Sequence, residues 1–537
     1  MTVAAPKYSP QQINAIDFVK NPTKRRTNLM IQAVAGSGKT FTLLQLLMWL
    51  DGQVAFMAFS RDIRYEIEGK VEKIKDQLKC NVRVGTVHSF GRSPLVKVYP
   101  NTRTTKNKRE KADLLMDAVV DPKTGEKGVP GPLRNFVARA YILARQWGIG
   151  LVPEFKFGDK EAWYNLVDHF DMEEELIPNA DNPPPNLDEL VRQGCNWAVH
   201  VIKLGIKMAP EYIDFEDMIY LPLYLNLKMW QYDTVLVDEC QDLNTTRRMF
   251  AGKVCKAGGR LIFVGDPHQA IFGFTGADSD SIANIIKQYN CTTLPLTYSF
   301  RCPQSVVRYV QRWVSHIQAA PDAPEGLSPL DPGGVIADTD LWKQELNTTD
   351  AILCRNNAPL VDLFFQCIVQ NIPAHIEGKD IGADLVKMLK KFPNVKGWDA
   401  LKKALDKHKT KEVKRLTASG KEEKAGRIAD VVEAVLTIME HMPPTSLVKD
   451  IVTKINDMFS DTPDGKKPAT LTLTTSHKAK GREWNRVFWY GRNRWNPSPF
   501  ARQAWQMDQE TNLMYVAGTR ARQALIEVTV PIPPRRG

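Results

Sequence analysis

Short apolar runs separated by longer amphipathic stretches set the first pattern in the chain. An apolar run over residues 28–32 leads into AVAGSGKT (residues 33–40), and the following FTLLQLLMWL has the apolar density of a helix that stops at Asp51 and Gly52. This order predicts strand, glycine loop, helix. Further β-like runs cover residues 54–59, 234–237 and 261–264, spaced as a parallel sheet with crossover helices requires. A second set covers residues 351–354, 470–474, 487–490 and 525–530. The expected fold class is α/β, with two cores that each carry a mainly helical insertion. The first core is expected over 1–91 and 206–295 with its insertion over 92–205, and the second over 296–378 and 468–537 with a small basic insertion over 379–467.

Composition narrows the classes. A chain of 537 residues has room for about three or four domains, and 43% hydrophobic with 25% charged residues rules out global disorder. The net charge of +11 favours a polyanionic partner such as nucleic acid, although an anionic membrane surface or solubility alone would also account for it. Residues 387–427 hold 14 Lys or Arg against 5 Asp or Glu, which reads equally as a solvated helix face or a nucleic-acid contact surface. The basic stretch RTTKNKREK (103–111), an acidic patch over 171–175 and the Pro183, Pro184, Pro185 run fall in the first insertion, the prolines predicting an extended loop. No signal-peptide layout or long apolar run is present, and the eight cysteines are scattered without a C-x-x-C pair. A cytoplasmic protein with buried thiols and no membrane contact is expected.

The chemistry concentrates at strand ends. In A-x-x-x-x-G-K-T, backbone N–H groups of a tight glycine loop point at phosphates, a lysine adds a point charge and a hydroxyl holds magnesium. Ala33, Gly36, Gly38, Lys39 and Thr40 fill the pattern, with Ala35 and Ser37 completing the cradle. After residues 234–237 the chain turns into DECQD, where Asp238 suits a metal ligand and Glu239 a base that orients and deprotonates water. A third run, LIFVG, leads to Gln269, placed to read a γ-phosphate, and to Phe272 and Phe274, whose flat faces would serve a neighbouring partner.

These strings, in this order, resemble the UvrD, Rep and PcrA type of superfamily-one helicases, over six or more blocks from Tyr8 to Arg522. The resemblance implies two RecA-like P-loop NTPase domains, with ATP and Mg2+ used in the cleft between them. YSPQQINAI resembles the adenine-reading motif and places Gln12 on the base. AFMAFSRDI and GTVHSF are similar to the early strand-contacting motifs, nominating Phe59, Thr86 and His88. DFEDMI (214–219) resembles a further block to which no catalytic role is assigned. LTYSFRCP implies Arg301 at the γ-phosphate and Phe300 stacked on adenine, with Phe300 standing for the usual tyrosine and Ser299 for the usual asparagine. TSHKAKGREW implies Gly481 near the phosphates, Glu483 near the ribose, and Thr475 and His477 toward the strand. ETNLMYVAGTRAR nominates Arg520 as an arginine finger.

On the same resemblance, Arg301 and Arg520 supply positive charge only when the cleft closes, so hydrolysis is tied to closure and a strand stacked on Phe59, Phe272 and Phe274 is ratcheted along. Gln269 is followed by AIFGFTGAD rather than a Leu-Pro-rich string, which favours 3′ to 5′ movement. The implied partners are single-stranded DNA and duplex with a single-stranded tail, together with replication or recombination proteins, and the implied active form is a monomer. Stacking and phosphate contacts do not exclude RNA. The expected setting is a bacterial or phage-infected host cytoplasm.

The pattern departs from the larger relatives in two places. Seventeen residues follow Arg520 and include Pro531, Pro533 and Pro534, so a long strand-separating hairpin does not fit. The insertion over 379–467 is short, as in the compact UvrD-like branch of phages and FBH-type helicases. Trp484, Trp489, Trp495 and Trp505 read as buried tryptophans or as a wedge. Three alternatives to unwinding stay open: a translocase that displaces proteins, the motor of a helicase–nuclease, and a nucleotide-gated binding module.

Overall fold

The computed structural model describes residues 8–105, 108–177, 184–271, 273, 280–392, 395, 397–418, 422–458, 470–501 and 504–532. Two compact units emerge: Met1–Val34 with Gly38–Leu296, and Ala35–Ser37 with Thr297–Gly537.

The first unit is built on a six-stranded sheet in the order Lys79–Thr86, Asp51–Ala58, Tyr232–Val237, Cys255–Gly265, Leu29–Ala33, Thr292–Leu296. Every pairing is parallel. Its central strands read as nearly unbroken apolar runs because both faces are covered. Leu29, Ile31 and Phe56 pack into one core beside the helix Lys39–Leu47, while Met30, Ala55 and Met57 pack into another with Phe250. The first insertion is helical as expected. Lys108–Ala118, Arg134–Trp147, Lys160–His169 and Leu187–Lys207 enclose a core that includes Phe136, Tyr141, Trp163 and Val201. From the basic stretch 103–111, Arg103–Thr104 forms a short strand and Lys111 is fully buried rather than solvated. Pro183 lies outside the described residues.

The second unit carries another all-parallel six-stranded sheet, ordered Val335–Ala337, Ala521–Thr529, Trp484–Tyr490, Ala351–Cys354, Leu471–Thr475, Ala374–Ile376. The fold is thus mixed α/β with two parallel sheets, the RecA-like arrangement. The helices Lys379–Leu389, Trp398–Ala418, Glu422–Glu440 and Val448–Met458 share one core with this sheet, where Leu405, Val435 and Ile455 meet Ile352, Leu473 and Phe488. Part of the basic excess in this region is spent on ion pairs, Lys402 with Glu440, Arg415 with Glu412 and Arg427 with Asp384. Trp484 and Trp489 are core residues, 8% and 0% exposed, which excludes both as an exposed wedge. Trp495 stacks on Tyr490 with centroids 6.2 Å apart. All eight cysteines are free thiols. Among the described residues no helix is long and apolar enough to cross a membrane.

Candidate functional site

The glycine loop leaves the strand Leu29–Ala33 and enters the helix Lys39–Leu47. Gly36 and Gly38 have φ of 73° and 77°, a left-handed backbone that residues with a Cβ adopt only under strain. A Cβ on Gly38 would also lie 3.2 Å from Gln12 Nε2. No side chain caps the helix start at Gly38, so the first-turn N–H groups are left for a ligand, as an anion site requires. Ser37 Oγ is buried without a hydrogen-bond partner, an orphan that a phosphate oxygen would satisfy.

Two ion and hydrogen-bond contacts join this loop to the end of the strand Tyr232–Val237. Thr40 Oγ1 donates to Asp238 Oδ2 at 2.8 Å, and Lys39 Nζ lies 2.9 Å from a Glu239 oxygen. Glu239 sits at φ 52°, an unusual backbone for a residue with a side chain. Gln269 Nε2 donates to Asp266 Oδ2 at 2.7 Å, and the Asp266 N–H donates to Gln241 Oε1 at 3.1 Å. Gln241 in turn donates to Glu239 at 2.5 Å, so Gln269 and Glu239 belong to one bonded chain. Burial alone would push the Lys39 ammonium down, but Glu239, Asp266 and Asp238 outweigh it and hold it above its ordinary value. Burial, then the neighbouring Glu239, raises the Asp238 carboxyl to about 6. Among the described residues no group of three or more His, Cys, Asp or Glu could hold a metal ion by itself, so a divalent cation here would take Asp238 and the Thr40 hydroxyl, with the ligand completing the shell.

Gln12 is buried beside this loop. Its Oε1 accepts from the Ser9 N–H at 2.9 Å while Ser9 Oγ accepts from the Gln12 N–H at 3.2 Å, a capping box at the helix Pro10–Lys20, and its Nε2 donates to Thr42 Oγ1 at 3.2 Å. Reading a base would use what remains of that amide.

On the neighbouring strand ends, Phe59 and His88 line a cavity of about 90 Å3 with Asp238 and Arg247. Phe59 is 36% exposed, and Thr86 caps the helix Val87–Val98 by accepting from the Ser89 N–H at 3.3 Å. Sequence reading missed Arg247. Its Nε is buried without a partner on the cavity wall, and its position one helical turn past Asn244, the helix cap after DECQD, was the available signal. Phe272 and Phe274 lie outside the described residues.

In the second unit Arg301 Nε donates to Glu483 Oε2 at 2.5 Å, and Arg522 reaches the other oxygen of the same carboxylate. Phe300 is 47% exposed, whereas Ser299 is buried. Gly481 has φ 81° and open space where a Cβ would stand. Arg520 is buried in this structure, with its guanidinium donating to the Val516 and Arg482 carbonyls at 2.7 and 3.2 Å and to Thr519 Oγ1 at 2.9 Å. It stands at the end of the helix Ala504–Gly518, where a cation satisfies terminal carbonyls. Thr475 is buried and accepts from the Lys478 N–H at 3.3 Å.

His477 lines a small cavity with Arg355, Trp505 and Glu510. Arg355 pairs with Glu510 at 2.7 Å and directly follows the strand Ala351–Cys354, the strand-end signal that also marks Asp238 but was not applied to it. Burial first, and Arg355 second, push the His477 imidazole well below its ordinary 6.5, so the ring is neutral at pH 7. The folded value lies below the unfolded one, so this contribution to stability is whole above 6.5 and is lost as pH falls toward the folded value. Chemical denaturation is expected to show stability falling from about pH 7 to about pH 5, and His477→Gln to flatten that dependence. Parallel profiles for the two proteins would refute the assignment.

Residues 160–290 match the UvrD/REP helicase N-terminal domain, a span that contains Asp238, Glu239 and Gln269. The chain is 22% identical over 520 residues to F-box DNA helicase protein 1 of Schizosaccharomyces pombe, covering 93% of this chain and 55% of that protein. It is 22% identical over 330 residues to DNA helicase II of Haemophilus influenzae, covering 54% of this chain and 38% of the relative. It is 26% identical over 350 residues to ATP-dependent DNA helicase PcrA of Staphylococcus epidermidis, covering 62% of this chain and 43% of the relative. The chain thus spans about half the length of these curated relatives. The family match covers the strand-end carboxylates and Gln269, and over these spans the chain is similar to DNA helicases of the UvrD, Rep and PcrA type.

Proposed function

We propose that the chain is an ATP-dependent translocase on single-stranded DNA that moves 3′ to 5′ and unwinds tailed duplex. The observation that carries this reading is the pairing of Lys39 with Glu239 and of Thr40 with Asp238 beneath an uncapped helix start. Thr40 and Asp238 would hold Mg2+, which supplies charge to the phosphates. Lys39 steadies the transferring phosphoryl group, and Glu239, released from Lys39 when phosphate takes its place, accepts the proton of the attacking water. Gln269 orients that water or the γ-phosphate through its link to Asp266. Arg301 and Arg520 are assigned to add positive charge at the γ-phosphate of bound ATP, with Phe300 stacked on adenine and Gln12, Gly481 and Glu483 completing the nucleotide contacts. Phe59, Thr86, His88, Thr475 and His477 are assigned to the strand.

ATP turnover with and without a single-stranded oligonucleotide, followed by displacement from duplexes tailed at the 3′ or the 5′ end, tests this. The expected result is strand-stimulated hydrolysis and ATP-dependent unwinding of the 3′-tailed duplex. Unwinding of the 5′-tailed duplex alone would reverse the polarity, and turnover indifferent to the strand would remove the motor.

A further inference from the structure

The block DFEDMI, assigned no role by its sequence, lies at a buried ionic cluster. Arg145 Nη1 donates to Asp214 and to Asp217 at 2.8 and 2.7 Å, and Nη2 donates to Asp214 at 2.8 Å. Lys111 donates to Asp217 and, at 3.2 Å, to the Gly205 carbonyl. All four side chains are at most 2% exposed. The two aspartates also cap each other's backbone, each N–H donating to the other carboxylate at 2.9 Å. Burial pushes the Asp214 carboxyl up, but the Arg145 guanidinium outweighs it and holds it at about 2. Buried charges of this kind seldom add net stability over apolar residues of similar volume, whereas a forked guanidinium on two carboxylates fixes an orientation.

What is oriented is visible on both sides. Phe215, between the two aspartates, sets its ring edge-on against His88 with centroids 5.7 Å apart. Behind it the helix Val87–Val98 packs so closely that a Cβ on Gly91 would stand 1.9 Å from the Met218 carbonyl oxygen. On the other side, Thr246 Oγ1 donates to the Arg145 and Gln146 carbonyls at 2.5 and 3.2 Å, satisfying the end of the helix Arg134–Trp147. Thr246 belongs to the helix Thr245–Lys253, which begins three residues after the turn Cys240–Asp242 that follows Glu239.

We infer that Asp214, Asp217 and Arg145 are positioning residues: their cluster holds the His88 helix and the helix after Glu239 in one fixed relation, so that strand bound at His88 raises the turnover supported by Glu239. This rests on the function proposed above. Thr246→Val removes the link to the Glu239 side while leaving the ion cluster whole, and Arg145→Lys replaces the fork by a point charge.

In the full chain, both variants are expected to keep basal ATP turnover and the affinity for a poly-dT oligonucleotide within about twofold, while strand stimulation of kcat falls at least about fivefold. Phe215→Leu is expected to raise the strand concentration needed for half-maximal stimulation and to leave basal turnover alone. Thermal melting reports whether each variant is folded; if Arg145→Lys is not, Thr246→Val decides. Undiminished kcat stimulation in folded Thr246→Val would overturn the inference while the motor reading stands. An unaltered chain that ignores the strand would remove the motor reading, and this inference with it.

Discussion

Lys39→Ala is expected to cut strand-stimulated ATP turnover by at least about a hundredfold, because the lysine places an ammonium against Glu239 and Asp238 at the start of the glycine-loop helix, where it would meet the phosphates. A second effect follows from the unliganded structure. Lys39 balances the buried carboxylates Asp238 and Asp266 and the half-buried Glu239, so its removal leaves negative charge uncompensated. Breaking such a pair costs about 3–5 kcal/mol when the remaining charge cannot adapt. Here Asp238, already raised to about 6, can take up a proton, and the cost is expected to fall to about 1–3 kcal/mol. Steady-state turnover and a denaturant midpoint measured on the same preparation check both effects. Turnover within tenfold of the unaltered protein would exclude Lys39 from the phosphate site.

Glu239→Gln separates the two roles. The amide cannot accept the proton of the attacking water, so hydrolysis is expected to fall by about 10²- to 10⁴-fold. Nucleotide affinity should stay within a fewfold, since Lys39, Thr40 and the uncapped helix start are untouched. The stability effect should also differ in sign from that of Lys39→Ala: one carboxylate fewer beside Asp238 relieves like-charge repulsion and lowers the Asp238 carboxyl toward its ordinary value. The expected outcome is a melting midpoint equal to or above that of the unaltered chain, with tight binding of a fluorescent ATP analogue and almost no phosphate release. Loss of analogue binding would place Glu239 in binding rather than in proton transfer.

The two changes together distinguish a charge that holds phosphate from a base that moves a proton. That contrast would be invisible if Lys39 and Glu239 were merely a structural ion pair, since either substitution would then destabilise the fold and leave chemistry alone.

Much of the framework was legible because buried parallel strands must be apolar on both faces. The runs at 28–32, 234–237, 261–264 and 351–354 were readable for that reason, the first one residue short of the strand Leu29–Ala33, and the residues after two of them carry the glycine loop and Asp238. The strand Ala521–Thr529 begins earlier than the apolar run at 525–530 suggests, because its first residues are held by pairing with Trp484 and Arg486 rather than by apolar pattern. The strands Lys79–Thr86 and Thr292–Leu296 sit at the sheet edges, where alternating exposure hides the signal.

Residue type and spacing by themselves determined the strand, glycine loop and helix and the Asp238–Glu239 pair, since each depends on backbone geometry within a few neighbours, and the order of motifs, which is a property of the sequence itself. Only the tertiary structure decided where the charges are spent. It buried Lys111 and Arg145 against Asp214 and Asp217, folded the Arg520 guanidinium onto backbone carbonyls, closed Gln12 into a helix cap, and placed Arg247 beside Phe59 and His88. The ion cluster joins residues 69 to 106 positions apart, while Gln12 and Arg520 find partners three and four positions away; in each case desolvation of a charge or polar group is a property of what surrounds it, which the linear order of side chains does not contain.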